Sequence, residues 1–134
     1  MIVVDTSALV AIIGGEPDAV RFNTVLGAWK DIVLSAGTAV EAYIVVHSRW
    51  SDAGVARLES LITFAGIELR SVDARQTRLA FEAHKRFGRG SGHPAKLNYG
   101  DCFAYALARS LDAPLLFKGD DFAHTDIRSA LDAA

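Results

Sequence analysis

Residues 1–13 read MIVVDTSALVAII. An apolar run ends in Asp5, two hydroxyl residues follow, and a second apolar run begins at Ala8. That order suits a short buried strand that passes directly into a helix. Asp5, Thr6 and Ser7 all favour helix N-caps, so capping alone accounts for them. A carboxylate delivered by the end of a buried strand suits chemistry equally well. The rest of the chain has to decide between the two.

Working outward, strand signals recur at Ile32–Leu34, Ile67–Arg70 and Leu115–Phe117, as short apolar or β-branched runs. The spacing between them predicts helices over Ser7–Ile13, Asp18–Trp29, Thr38–Trp50, Asp52–Ala65, Asp73–Phe87 and Asn98–Leu111. In the fifth, Leu79, Ala83 and Phe87 recur every fourth residue, and Arg78, Glu82 and Lys85 fall on the other face. Strands alternating with helices predict an α/β layer with a largely parallel sheet and right-handed crossovers. The 134 residues suit a single domain, 1–134, and 51% hydrophobic content excludes disorder. No apolar stretch is long enough to cross a bilayer, and no basic lead-in precedes the first apolar run, so no secretory leader is expected. The single cysteine, Cys102, excludes an internal disulfide and a cysteine-based metal cluster. A reducing cytoplasm fits best.

In an open α/β sheet, ligands gather at the carboxyl ends of the strands. Asp5 follows the first strand. Glu41 follows the second in VLSAGTAVEAYIVV (33–46), where Thr38-x-x-Glu41 also reads as a capping box. Asp101 lies in KLNYGDCFAYALARS (96–110), third in a helix that Asn98 would cap. If the last strand is parallel to the others, that helix starts at the same sheet edge as Asp5 and Glu41. The glycine-rich stretch GRGSGHPAKL (88–97) then serves as a mobile return path, ten residues spanning roughly 30 Å. Asp120 and Asp121 come just beyond the last strand in FKGDDFAHTDI (117–127). Four carboxylates on one edge repel one another unless a cation sits among them. Oxygen donors without a Cys/His set favour Mg²⁺ or Mn²⁺.

A net charge of −2 argues against bulk polyanion binding, yet half of the fourteen Lys and Arg lie between Arg70 and Lys96. Much of that run reads as a solvated helix face, and it could also contact phosphates. A carboxylate-held divalent ion near a basic segment points to phosphodiester hydrolysis of a nucleic acid.

Taken together, VVDTSALVAII (3–13), TAVEAYIVV (38–46), KLNYGDCFAYALA (96–108) and PLLFKGDDFAHTDI (114–127) resemble PIN-domain ribonucleases, specifically the VapC toxins of toxin–antitoxin pairs. The resemblance implies a PIN-like three-layer α/β fold, a central mostly parallel short-stranded sheet flanked by helices. It implies a Mg²⁺-dependent endoribonuclease acting on structured RNA (tRNA or rRNA), with Mn²⁺ able to substitute. Asp5 and Asp101 would be direct metal ligands, Glu41 the second acid, and Asp121 the fourth. Many relatives carry an acid where Gly119 stands here, so Asp120 is a substitute for Asp121. A VapB-type antitoxin, a homodimer and a cytoplasmic location are also implied.

Ser7, or Thr6, could hold a metal-bound water or a phosphate. Arg86, Arg89, Lys96 and Lys118 are candidate RNA contacts, against a default of solvated charge. His93 reads as an exposed loop residue, and His124 and Asp126 as turn residues. Cys102 and Phe103 read as core, and Trp29 and Trp50 as buried or dimer-contacting. A receiver-like phosphoryl acceptor, with Asp73 and Lys118 in its roles, lacks paired acids near the first strand. A phosphatase of the haloacid-dehalogenase kind would want an aspartate where Ser7 stands. A non-catalytic PIN adaptor would not need all four acids.

Overall fold

The computed structural model describes residues 1–132, and Ala133 and Ala134 lie outside the described residues. The chain runs β1 (Ile2–Val4), α1 (Thr6–Ile13), α2 (Ala19–Ala28), β2 (Ile32–Ser35), α3 (Ala36–Ala65), β3 (Ile67–Arg70), α4 (Ala74–Phe87), α5 (Tyr99–Leu111) and β4 (Leu115–Leu116). A single 3₁₀ turn follows at Phe122–His124. The four strands form one parallel sheet in the order β3-β2-β1-β4. Both faces of the central strands are covered, which is why β1, β2 and β4 are almost continuously apolar, while the edge strand β3 (IELR) is largely exposed.

Alternation shows instead in which core each residue enters. Ile2, Val4, Ile32 and Leu34 pack with α1, α2 and α3, through Leu9, Phe22, Val46 and Leu58 among others. Val3, Val33 and Leu115 pack on the opposite face with α4 and α5, through Ala83, Phe87, Tyr105 and Leu107. The result is three layers, helix–sheet–helix. No helix among the described residues is long and apolar enough to cross a membrane.

The sheet edge is set by hydrogen bonding that continues past β1. The Asp5 N–H donates to the Leu116 carbonyl at 2.9 Å. The chain then turns at once into α1, so the Asp5 carboxylate is held at the carboxyl end of the central strands.

Two sequence expectations need correction. Thr38 and Glu41 do not form a capping box: β2 runs straight into α3, and the Ser35 side chain caps it by accepting from Gly37 N–H at 3.2 Å. Thr38 is buried inside the helix. The helices expected over Thr38–Trp50 and Asp52–Ala65 are both present, since α3 is two helical stretches meeting at a kink at Ser51, whose φ is positive (54°).

The second correction concerns the return path. Gly88 pairs with Leu97, the Leu97 N–H reaching Phe87 O at 2.8 Å and the Arg89 N–H reaching Leu97 O at 3.0 Å. The loop is therefore pinched shut rather than stretched. Inside it, Ser91 Oγ donates to Gly88 O, Ala95 N–H donates to His93 Nδ1, and the His93 ring meets Phe87 edge-on at 4.9 Å. Helix α4 carries the chain back along the domain. Arg75 near its start reaches Ser110 O at the end of α5, while Gly88 beyond its end meets the start of α5. Two long antiparallel helices can bury apolar area that an extended loop cannot.

Candidate functional site

A cleft of about 380 Å³ opens at the carboxyl edge of the sheet, lined by Asp5, Glu41, Asp101 and Asp121 with Ser7, Asn98 and Lys118 around them. Each acid arrives on a different element. Asp5 follows β1, Glu41 stands in the second turn of α3, Asp101 is in the first turn of α5, and Asp121 precedes the 3₁₀ turn.

Asp5 both caps a helix and faces the cleft. Its Oδ2 accepts from Ser7 N–H at 3.0 Å and from Ser7 Oγ at 2.6 Å. Its Oδ1 is buried without a hydrogen-bond partner. Burial pushes its pKa up to about 6, opposed by the Ser7 hydrogen bonds and reinforced by the Glu41 charge. Asp101 forms a reciprocal capping box with Asn98, accepting from Asn98 N–H at 3.0 Å while Asn98 Oδ1 accepts from Asp101 N–H at 2.9 Å. Burial raises its pKa to about 7, and the charges of Asp5, Asp121 and Glu41 add to that against the Asn98 hydrogen bond. Capping and function are thus not alternatives at either residue, because one carboxylate has two oxygens.

Glu41 is oriented by Thr6, whose hydroxyl donates to Oε1 at 2.6 Å. Its other oxygen, Oε2, lies over Gly100 in the first turn of α5. A Cβ at that position would overlap Oε2 and come within 2.5 Å of the carboxyl carbon. Glycine costs a helix about 1 kcal/mol relative to alanine, so its presence there is explained by the space it leaves. Sequence reasoning missed this residue. The available signal was a helix-weakening glycine beside an acid in a first turn.

Ser7 ties the two strand ends together, as its hydroxyl donates to Asp5 and accepts from Lys118 N–H at 2.9 Å. The Lys118 ammonium at the cleft rim pairs with Glu16 and, at 3.2 Å, with Asp18. Asp120 is outside the cleft lining. Arg86 faces Asp126, which also accepts from Tyr105 Oη at 2.8 Å, away from the acids. Arg89 and Lys96 lie within the closed loop and line a hollow of it with His93, and neither lines the acidic cleft. Asp73 caps α4 by accepting from Gln76 N–H, and it lines a separate hollow with Gln76 and Ser110, so it shares no site with Lys118. Cys102 is in the core on the α4–α5 side of the sheet, and Trp29 and Trp50 are half-buried against the core on the other side.

Among the described residues, no three His, Cys, Asp or Glu groups already stand gathered as a metal ion requires. The cleft nevertheless fits a hard divalent cation on three counts. Its donors are all oxygens, Asp5 Oδ1 is a buried acceptor with nothing to accept from, and Gly100 leaves room for the Glu41 carboxylate.

Removing the Ser7 hydroxyl should show in the pH dependence. Ser7→Ala deletes hydrogen bonding that holds the Asp5 pKa down, so Asp5 would lose its proton only at higher pH. Cation binding, followed by calorimetry from pH 5 to 8, is expected to rise at a higher pH than in the wild type. An unchanged profile would contradict the coupling.

Comparison with known proteins gives a consistent result. The PIN domain family model matches residues 2–128. A VapC ribonuclease of Mycobacterium bovis is 44% identical over 128 residues, covering 96% of this chain and 98% of that protein. Ribonuclease VapC28 of Mycobacterium tuberculosis is 45% identical over 130 residues, covering 97% and 98%. Among solved structures, M. tuberculosis VapC20, described as a sarcin–ricin-loop-cleaving toxin, superposes with a TM-score of 0.77 at 15% identity, covering 95% of this chain and 96% of that one. The Rickettsia felis VapBC2 complex, bound to a promoter DNA fragment, gives 0.74 at 17% identity, covering 96% and 97%.

Proposed function

The chain belongs to the PIN-domain family, in its VapC ribonuclease branch, and from that premise we propose that it is the toxin of a toxin–antitoxin pair. It hydrolyses phosphodiester bonds in structured RNA (tRNA or rRNA) at the acidic cleft, with Mg²⁺ or, in its place, Mn²⁺. The observation that carries this reading is the buried, partnerless Asp5 Oδ1 among carboxylates drawn from four separate elements. Neither a phosphoryl-accepting role nor an adaptor role accounts for that oxygen.

Asp5 and Asp101 would hold the ion directly, and Glu41 and Asp121 directly or through water. When bound, the ion neutralises phosphate charge and makes water more acidic. The chain's own residues do the rest. Thr6 fixes Glu41 Oε1 and leaves Oε2 free to orient the attacking water. Ser7 and the Asn98 box hold Asp5 and Asp101 against the repulsion of their neighbours. Water adds to phosphorus, the bond to the departing ribose oxygen breaks, and the departing oxygen takes up a proton.

Both raised pKa values bear on the working pH. Protons compete with the cation for Asp5 and Asp101, so activity should climb as pH rises through about 6 to 7. The test is cleavage of purified tRNA and rRNA by antitoxin-free protein, with Mg²⁺, with Mn²⁺ and with chelator, between pH 5 and 8.5. Metal-dependent cutting with that acid limb is expected. Intact RNA under every metal condition would overturn the assignment.

The partner in this reading is a VapB-type antitoxin, and the chain forms a homodimer. Val40 and Ile44 on α3, Phe81 on α4 and Tyr99 on α5 supply exposed apolar surface for such contacts.

A further inference from the structure

We propose that Arg49 is the cleft's RNA-phosphate contact, gripping a phosphate beside the one being cut; this rests on the ribonuclease reading above. The cleft lining carries five acids, Asp5, Glu16, Glu41, Asp101 and Asp121, against two cations, Lys118 and Arg49. A polyanion entering such a lining needs positive charge beyond that of the metal. Lys118 is already committed to Glu16 and Asp18. Among the described residues, Arg49 has no carboxylate within ion-pair distance and no hydrogen-bonded partner.

Its position is set by α3. Glu41, Val45 and Arg49 recur at four-residue spacing and all line the cleft, so they share one helix face. The Arg49 backbone then stands about 12 Å along the axis from that of Glu41, which suits a phosphate neighbouring the reacting one. The helix breaks at Ser51 immediately afterwards, so Arg49 sits in a last turn, where a cation is favoured.

Its guanidinium also lies over the Trp50 ring, 6.0 Å from the centroid. Trp50 is itself wedged in place, since a Cβ on Gly14 would come within 3.1 Å of its ring. The guanidinium is therefore exposed at the rim, with a packed aromatic beneath it. Arginine suits the task because its planar fork matches phosphate oxygens.

The experiment compares Asp101→Asn with Asp101→Asn/Arg49→Ala, neither able to cut, for binding to a fluorescently labelled tRNA mixture across a salt series. The expected result is weaker binding, with the slope of log affinity against log salt shallower by about 0.7–0.9, the value for one lost phosphate contact. Arg49→Lys should restore most of the slope. In the cleaving background, Arg49→Ala should raise KM several-fold with kcat and melting temperature unchanged. An unaltered slope, or a loss confined to kcat, overturns the proposal. Should the wild type fail to cut RNA, the ribonuclease reading falls while the salt slope still decides whether Arg49 binds polyanion.

Discussion

Asp101→Asn is expected to lower RNA cleavage by about a thousandfold and, in chelator, to make the protein more stable above pH 7. The two effects have one origin. Asp101 is charged at neutral pH only against burial and the fields of Asp5, Asp121 and Glu41. Asparagine keeps an oxygen to accept from Asn98 N–H, so the helix start survives the change. The direction of the pH effect follows from proton linkage. The group titrates near 3.8 when unfolded and about 7 when folded, so between those values the folded state holds a proton that the unfolded state has released. Wild-type stability therefore falls as pH rises through that window, and the variant is spared the loss. Melting curves from pH 4.5 to 8.5 should diverge progressively and then run parallel, each recovered kcal/mol counting for about 3–5 °C in a domain of this size. Divalent cation should raise the wild-type melting temperature and leave the variant unmoved. A variant that melts lower at every pH would mean that Asp101 is a capping residue and nothing more.

Gly100→Ala should cost about 10–100-fold in activity, the range seen when a group that orients a metal ligand is displaced. The protein gains helix propensity from this change, so backbone damage does not explain a loss. The added methyl takes the place of Glu41 Oε2, and the carboxylate must swing away from the hydroxyl of Thr6. Glu41→Asp, one methylene shorter, should recover part of the activity in the double variant while lowering it alone. Gly27→Ala serves as the control, because no atom lies near its Cβ position; it should cut RNA as the wild type does. Full activity in Gly100→Ala, with unaltered cation affinity by calorimetry, would remove any need for that close approach.

The strands could be read from the chain because a sheet buried on both faces demands continuous apolar runs, and IVV, IVLS and the LLF around β4 supply them. The helix starts at Asp73 and Asn98 were legible for the same local reason, caps being sequence-adjacent events. Thr38 misled because its capping-box spacing with Glu41 is genuine while Ser35, three residues earlier, already caps the helix. The closed loop after α4 was hidden because its order comes from Phe87, His93 and Leu97 meeting in space, and glycine content alone suggests only freedom. In the cleft, the acids stood out as chemistry-bearing side chains. Gly100 and Arg49 did not, and Thr6 stood out only as a cap or a water or phosphate contact rather than as the donor to Glu41, because these roles depend on which helix face meets which; the spacing from Glu41 to Arg49 was the visible clue to the last.

Anomalous diffraction from crystals grown with Mn²⁺ decides whether a cation is what makes these carboxylates tolerable neighbours. The expected map places the peak within coordinating reach of Asp5 Oδ1 and an Asp101 oxygen, with Glu41 and Asp121 around it. A saturating soak that leaves Asp5 Oδ1 without a partner, or that puts the ion outside the cleft, would contradict it.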